Sequence, residues 1–342
     1  MREFGSDFHV IKGYQSDNAH PLDIYRDKVF LADGRHCIEI LIRQYGWKRL
    51  WMPEYFCYNI IEYLQKKTGI EIVFYVDYPG NDDNQTITNL DFQIGDALLR
   101  MNYFGSRSFR SEKSIPVPVI EDHSHDLIGE WAKNSDADWC IASLRKIIPI
   151  PEGGVMWSPK RHHLEIEPQQ STSNISLAQM RWNAMEEKEK YLSGALENKE
   201  LFRKAYLETE EGLDELDIAL IDERSRVFLK SFDIERWYKA KKRNWQVLCQ
   251  LTAKKGLKVL LPEASELVPF SFVVLFDNND LRERVKKQLI SSSVYPAVLW
   301  SVPDGVTEVV RGFSQRMLSI HCDGRYSEEE TYCLLETINS II

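Results

Sequence analysis

Apolar and polar positions in residues 34–143 follow two periods, one helical and one strand-like. Residues 34–46 place apolar side chains three and four positions apart between two glycines, and residues 58–69 repeat this helical pattern up to a closing glycine. Short apolar runs rich in β-branched and aromatic residues predict strands at 49–53, 70–77, 97–105, 117–122 and 139–144. Strands that alternate with helices at this spacing predict an α/β fold with a mostly parallel sheet.

The pattern changes after residue 175. Residues 176–216 and 233–256 are charged and amphipathic, which predicts long helices with a solvated outer face. Strand-like runs at 269–277, 294–300 and 316–322 then alternate with helical segments at 279–293 and 327–342. We therefore expect a large α/β domain over residues 1–245, which includes long helices at 175–245, and a smaller α+β domain over 246–342.

Composition narrows the class of protein. The chain has 342 residues, 43% of them apolar, and a net charge of -9, which argues against a nucleic-acid-binding protein because phosphate affinity needs concentrated Lys and Arg. Its six cysteines are scattered without a CxxC pair, which favours reduced thiols in the cytoplasm. The N-terminus lacks an apolar signal segment, and no run approaches the roughly 18 apolar residues that span a bilayer, so we expect no membrane association.

An acidic pair, Glu121 and Asp122, ends the predicted strand at 117–122. Ligands of open α/β sheets bind beyond the carboxyl ends of the strands, so Asp122 is placed to hold a positive charge or a protonated ring nitrogen. The alternative is that Asp122 caps the helix that follows.

A lysine, Lys146, lies within the apolar segment ASLRKIIPIPEGGVMW at residues 142–157. Lysine is rarely buried without a partner, so Lys146 either extends its amine to water or is held there for chemistry. Ser143 precedes it by three residues, so that the hydroxyl could bind a phosphate while the amine attacks a carbonyl group. A β-lactamase-like SxxK site is the other interpretation, but the SDN and KTG triplets that accompany such a site precede it in this sequence, at residues 16–18 and 67–69, instead of following it.

Two further features favour a phosphorylated planar ligand. Gly34 begins a predicted helix, where free backbone N–H groups attract phosphate. Tyr55, Phe56 and Tyr58 follow the predicted strand at 49–53, and one of them could stack on a planar ring, although such residues more often belong to the core.

The order of these features resembles that of fold-type-I pyridoxal-phosphate enzymes. Residues 120–129 read IEDHSHDLIG and resemble the IEDxAHxxG segment of the DegT/DnrJ/EryC1/StrS sugar aminotransferase family. Residues 143–157 read SLRKIIPIPEGGVMW and resemble its lysine segment. The resemblance runs from about residue 30 to the end and is strongest over 117–157 and 294–330. It implies a fold-type-I architecture, with helices on both faces of a mostly parallel central sheet and a smaller C-terminal α+β domain.

The resemblance also assigns roles to particular residues. The lysine that bonds to pyridoxal 5'-phosphate falls on Lys146, and the partner of the cofactor's ring nitrogen falls on Asp122. A phosphate-binding hydroxyl falls on Ser143, and the phosphate contact at the helix start falls on Gly34 and Arg35.

The resemblance does not assign the residues around the cofactor's ring to single positions. The ring-stacking aromatic should be Tyr55, Phe56 or Tyr58, because the usual position falls on Cys57. His125 should lie near the cofactor.

The activity that the resemblance implies is transfer of an amino group from glutamate or glutamine to a nucleotide-linked keto sugar in surface-polysaccharide biosynthesis, by a homodimer. A lysine at residue 146 favours transamination, since relatives that deoxygenate sugars carry histidine there. The family's GxNxR segment, which reaches the neighbouring subunit, is not legible in residues 222–233, where Ser225 and Arg226 are loose candidates. Two alternatives therefore stay open: a ligand-binding or regulatory relative without turnover, and a hydrolase built on Ser143 and Lys146.

Overall fold

Twelve strands and eleven α-helices form the computed structural model over the residues that it describes, 3–16, 20–81, 83–251 and 256–342. The strands are β1 Phe4–Gly5, β2 Val29–Leu31, β3 Arg49–Pro53, β4 Glu71–Tyr75, β5 Asp96–Met101, β6 Val119–Asp122, β7 Trp139–Ser143, β8 Gly154–Trp157, β9 Leu257–Val259, β10 Phe272–Phe276, β11 Val294–Tyr295 and β12 Met317–Ile320. The helices are α1 Gly34–Tyr45, α2 Tyr58–Thr68, α3 Asp83–Ile87, α4 Glu130–Asn134, α5 Thr172–Ser193, α6 Glu200–Leu213, α7 Glu223–Ser231, α8 Ile234–Leu248, α9 Asn279–Ser291, α10 Glu308–Arg316 and α11 Glu328–Ile341.

The central sheet has seven strands in the order β2-β8-β7-β6-β5-β3-β4. Strands β3 to β7 run parallel, whereas β8 and β2 continue the sheet antiparallel beyond β7. This arrangement confirms the predicted mostly parallel α/β sheet. It also brings the carboxyl ends of β6 and β7 side by side, where a ligand site is expected.

Two apolar layers cover opposite faces of this sheet because successive side chains of a strand point to opposite faces. On β5, Leu98 belongs to one layer, together with Trp182 of α5 and Trp237 of α8. Leu99 belongs to the other layer, with Leu41 of α1. The helices on both faces were predicted.

A second sheet lies in the C-terminal part of the chain. Its order is β12-β10-β9, all antiparallel, and its apolar face packs with α8, α9 and α11. Strand β1 pairs in parallel with β11, which ties residues 4–5 to this region. The predicted domain boundary at residue 245 falls inside α8 and stays a prediction.

Several elements differ from the sequence prediction. The strand predicted over 294–300 covers only Val294–Tyr295, because Pro296 has no N–H to donate to a ladder. The helix predicted over 233–256 ends at Leu248, and residues 252–255 lie outside the described residues. The charged segment after residue 175 forms two helices that are separated after Ser193 by Gly194 in the left-handed conformation. Within the described ranges, no helix is both long and apolar enough to cross a membrane.

Candidate active site

The adjacent ends of β6 and β7 carry two of the predicted site residues, Asp122 and Ser143, both buried. Ser124 joins these strand ends. Its backbone N–H donates to Asp122 Oδ1 over 2.8 Å, and its hydroxyl oxygen accepts from the Ser143 backbone N–H, also over 2.8 Å. Ser124 therefore links the Asp122 carboxylate to the backbone of Ser143 through two short hydrogen bonds.

Lys146 follows Ser143 after a single 3-10 turn, Leu144–Lys146. The backbone N–H of Leu144 donates to the carbonyl of Gly153 over 2.8 Å, and the Trp237 indole N–H donates to the carbonyl of Ile147 over 2.9 Å. Gly153 has a φ of +115°, a conformation that favours glycine, and this lets the chain turn back into the sheet as β8. The turn that carries the lysine is thus held from both sides.

The amine of Lys146 makes no hydrogen bond or ion pair among the described residues, and its side chain is half-buried. The amine lies over the Trp300 indole ring, whose centre is 5.5 Å from Nζ. A lysine amine without an ionic partner at the edge of a cavity is available to react with a carbonyl group.

The start of α1 packs directly on the end of β7. A Cβ atom on Gly34 would lie only 2.9 Å from Ser143 Cβ, so this close approach requires glycine. Asp33 caps the helix: its Oδ1 accepts a hydrogen bond from the backbone N–H of Arg35 over 3.0 Å.

These elements enclose a cavity of about 200 Å³, called the inner cavity below. Gly34, Arg35, Asp122, Ser143 and Lys146, five of the predicted site residues, all line it. It is also lined by Asp33, Ile38, Cys57, Asn59, Ile60, Ser124, Ile141, Arg145, Glu210, Asp214 and Trp300.

A second cavity of about 350 Å³, called the outer cavity, lies beyond Lys146. It shares Arg145, Lys146 and Trp300 with the inner cavity, so the lysine stands at the junction of the two. Its remaining lining is Ser6, Asp7, Phe8, His125, Ile150, Pro151, Arg181, Met185, Tyr206, Phe270, Ala297, Leu299, His321 and Arg325.

Arg35 and Arg145 are each paired with carboxylates. Arg35 bonds Asp214 through Nη1 and lies 3.4 Å from Asp33 through Nε. Both terminal nitrogens of Arg145 donate hydrogen bonds to the Glu210 carboxylate, over 2.8 and 3.1 Å. Burial opposes the ionisation of Asp33, but the charges of Arg35 and Arg145 outweigh it and hold its pKa below the ordinary value.

The three aromatic candidates do not line either cavity. Tyr55 is buried and donates its hydroxyl proton to the carbonyl of Leu299, and Phe56 is buried beside it. Tyr58 begins α2, where its ring stacks on Phe74 with 5.7 Å between centres. The segment after Pro53 places Cys57 in the lining of the inner cavity instead, so the structure does not bring the three predicted aromatic residues to it.

Trp300 is the cavity aromatic that sequence reasoning missed. It follows β11 far along the chain, and no local pattern marks it as a neighbour of Lys146. Tyr55 and Phe56 support its ring, with centres 5.8 and 5.9 Å away. The sequence feature that could have indicated Trp300 is the family resemblance, which is strong over residues 294–330.

His125 lines the outer cavity and not the inner one. Its ring stacks on Trp300 at 5.5 Å and on Phe270 at 4.5 Å, and its Nδ1 accepts the backbone N–H of Phe104 over 2.9 Å. Burial lowers the pKa of His125 well below its ordinary value, and the charge of Lys146 acts in the same direction. The neutral ring therefore serves as a support for Trp300.

The loose candidates of the 222–233 segment lie away from both cavities. Ser225 is buried and accepts the indole N–H of Trp182 over 3.2 Å, while Arg226 pairs with Glu223 over 2.7 Å on the surface of α7.

No family model matches the sequence, and no curated protein matches it either. Solved structures do match the fold. PseC of Helicobacter pylori, an aminotransferase involved in the biosynthesis of pseudoaminic acid, superposes with a TM-score of 0.65 at 11% identity, over 99% of this chain and 99% of PseC. DesV of S. venezuelae, in complex with a ketimine intermediate, gives 0.60 at 12% identity over 99% of this chain and 90% of DesV.

NtdA of Bacillus subtilis, with its bound cofactor PMP, gives a TM-score of 0.58 at 13% identity, over 96% of this chain and 78% of NtdA. At such identities the likeness establishes a shared fold. The chain therefore has the fold-type-I architecture that the sequence predicted.

Proposed function

We propose that the protein is a pyridoxal-phosphate-dependent aminotransferase that moves an amino group from glutamate or glutamine to a nucleotide-linked keto sugar. The observation that carries this proposal is Lys146, whose amine lacks an ionic partner among the described residues and faces a cavity that also contains Asp122. The shared fold with PseC, DesV and NtdA supports it. We further infer a homodimer that acts in the cytoplasm in surface-polysaccharide biosynthesis.

The end of the inner cavity at Asp122 suits the ring of pyridoxal phosphate. Asp122 is buried and uses Oδ1 for the Ser124 N–H, so Oδ2 can accept a bond from a protonated ring nitrogen. Opposite charges at such a site stabilise each other's ionised forms. The cofactor, when bound, supplies the electron sink for chemistry at the amino carbon, and the protein binds and orients the reactants.

The predicted phosphate-binding groups lie at the other end of the inner cavity, where Arg35 is already bound to carboxylates. Gly34, Arg35 and Ser143 meet at the start of α1, where backbone N–H groups and the helix dipole attract anions. The Arg35 N–H, however, already donates to Asp33, and its guanidinium is bound to Asp214. The phosphate therefore fits this end only when it replaces a carboxylate.

The remaining residues divide the work of binding and proton transfer. Lys146 Nζ stands at the junction of the cavities, where it can carry a proton between the two carbons on either side of the nitrogen that is transferred. Phe8, Phe270 and Trp300 give the outer cavity apolar faces against which the sugar ring can pack.

A second candidate is a fold relative that binds a ligand without turnover. The pairing of Arg35 with Asp214 and of Arg145 with Glu210 favours it, because both cations near the phosphate position are neutralised. The hydrolase alternative lacks support, since Lys146 makes no hydrogen bond to Ser143 in the described part of the chain.

The test is to incubate the purified protein with pyridoxal phosphate, record its near-visible absorbance, reduce it with borohydride and map the labelled peptide. We expect the label on Lys146 and no absorbance band for Lys146→Ala. Lys199→Ala is the matched control, because Lys199 also lies over an aromatic ring, that of Tyr295 at 5.9 Å, but lines neither cavity.

Wild-type protein without a reducible band would contradict the proposal. A band without amino transfer from glutamate to any of a panel of keto sugar nucleotides would favour the second candidate.

A further inference from the structure

We propose that Asp214 and Glu210, at the C-terminal end of α6, compete with the cofactor's phosphate group for Arg35 and Arg145, so that docking of α6 opposes cofactor loading. This inference rests on the proposed function, because it assigns the phosphate to the start of α1.

The first argument is the balance of charge in the inner cavity. Its lining holds four carboxylates, those of Asp33, Asp122, Glu210 and Asp214. The same lining holds only three cations, those of Arg35, Arg145 and Lys146. A doubly charged phosphate would add to an existing excess of negative charge, which is unfavourable in a partly buried site. Release of the two α6 carboxylates reverses this balance.

The second argument is which partner of each pair can move. The Arg35 side chain is 6% exposed and the Arg145 side chain 17% exposed, so both guanidinium groups are fixed by their surroundings. Asp214 and Glu210 are 43% and 49% exposed. Asp214 can therefore rotate into water without opening the core, and Glu210 can leave Arg145 while it keeps its second partner, Arg181, at 2.9 Å. The arginines stay at the cavity.

The third argument is the position of the carboxylates on their helix. Glu210 lies in the last turn of α6, and Asp214 is the residue that caps its C-terminus. No basic residue lies in that turn. The C-terminal end of a helix is electronegative, so carboxylates there are disfavoured unless cations offset them. Arg35 supplies that cation to Asp214, and Arg145 and Arg181 supply it to Glu210. A ligand that takes Arg35 and Arg145 leaves Asp214 without its cation and Glu210 with Arg181 alone, which weakens the docking of this end of α6.

Asp33 is not displaced when phosphate replaces the carboxylates of α6. It is buried, and it holds the Arg35 backbone N–H over 3.0 Å as the cap of α1, so it remains in place when α6 is released. Phosphate then gains the guanidinium groups of Arg35 and Arg145 and the hydroxyl of Ser143. Guanidinium groups bind phosphate through paired, charge-assisted hydrogen bonds.

The experiment measures binding of inorganic phosphate, pyridoxal phosphate and pyridoxal by titration calorimetry. The proteins are wild type, Asp214→Asn, Glu210→Gln, the double variant and Glu211→Gln. Glu211 is the matched control, since it is an exposed carboxylate of the same helix end that lines neither cavity. We expect the double variant to bind both phosphate ligands about tenfold more tightly, which corresponds to about 1.4 kcal/mol, with pyridoxal and the Glu211 variant changed less than twofold.

Unchanged or weaker phosphate binding in the double variant would overturn the inference, and so would an equal gain for pyridoxal. A second measurement needs no variant: phosphate should speed amide hydrogen exchange over residues 208–214 of the wild-type protein, and slower or unchanged exchange there argues against release. Inorganic phosphate binds without Lys146, so a phosphate response in Lys146→Ala separates this inference from the proposed function. A positive response in protein that never forms a reducible band would leave the competition intact and reject the aminotransferase.

Discussion

The amine of Lys146 lies 5.5 Å from the centre of the Trp300 indole ring, at the point where the inner and outer cavities meet. Trp300 comes from the segment after β11 and is backed by His125, whose ring is nearly parallel to it at 14°. A cation over an aromatic face is attracted to it, and the same face can stack on a planar ligand ring. The wall beside the lysine is thus supplied by the C-terminal part of the chain.

Trp300→Ala should weaken binding of the cofactor, the sugar or both by up to about tenfold, because aromatic contacts contribute about 0.5–1.5 kcal/mol beyond the area that they bury. Trp300→Phe keeps an aromatic face and should recover most of the affinity. Titration of the absorbance band checks the cofactor, and KM checks the sugar. Equal affinities for all three proteins would remove Trp300 from the site.

Gly34→Ala should destabilise the protein by about 1–3 kcal/mol, as overpacking does in close-packed interiors, because the new methyl group would meet Ser143 Cβ at 2.9 Å. Denaturant unfolding measures the change. Gly312→Ala is the control: it lies within α10 with nothing inside 4 Å of the added atom, and it should stabilise the fold by up to about 1 kcal/mol. A neutral Gly34→Ala would show that α1 and β7 can separate freely.

Asp122→Asn keeps the shape of the side chain and removes its charge. The protonated ring nitrogen of a bound cofactor would then lack its counter-ion, and we expect the turnover rate to fall by about 100-fold or more, as for other preorganised electrostatic contacts. Steady-state kinetics with glutamate and a keto sugar nucleotide measures the rate, and thermal unfolding verifies the fold. Turnover at the wild-type rate would contradict the role of Asp122.

Glu152, in the PEGG segment, should make stability depend on pH. Burial raises its pKa from 4.5 to about 8, against the hydrogen bond from the Asp222 N–H, which lowers it. The folded chain therefore binds more protons than the unfolded chain between these values, so this group's contribution to the free energy of unfolding falls as pH rises through that window.

Glu152→Gln can still accept the Asp222 N–H and should flatten that dependence, whereas Glu211→Gln should not. Denaturant unfolding at a series of pH values from 5 to about 8 compares the three proteins. Parallel curves for wild type and Glu152→Gln would show that the carboxyl is already ionised in the folded protein.

Local sequence patterns predicted the elements that position the site. The strand at 49–53 and the helices starting at Gly34 and Tyr58 match closely, because their periodicity and closing glycines are properties of short segments. The clustering of Gly34, Asp122 and Ser143 follows from the rule that parallel strands present their carboxyl ends together.

Long-range contacts could not be predicted in the same way. Trp300 reaches Lys146 only through the packing of the C-terminal part of the chain on the sheet, and Arg35 meets Asp214 through a helix that local charge patterning marked as a solvated face. Tyr55 and Phe56 were two of the three candidates for the residue that stacks on a ligand ring, and in the structure both pack against Trp300. Short apolar segments do not specify which distant side chain will cover them.

The pairing of β1 with β11 sets an order of events during synthesis. Phe4 and Gly5 leave the ribosome about 290 residues before their partners Val294 and Tyr295. Ser6, Asp7 and Phe8, which line the outer cavity, follow directly on this strand. Contacts between such distant segments form late and slowly, because a long loop must close first. The central sheet can thus assemble during translation, while the outer cavity becomes complete only after residues 294–295 have been synthesised.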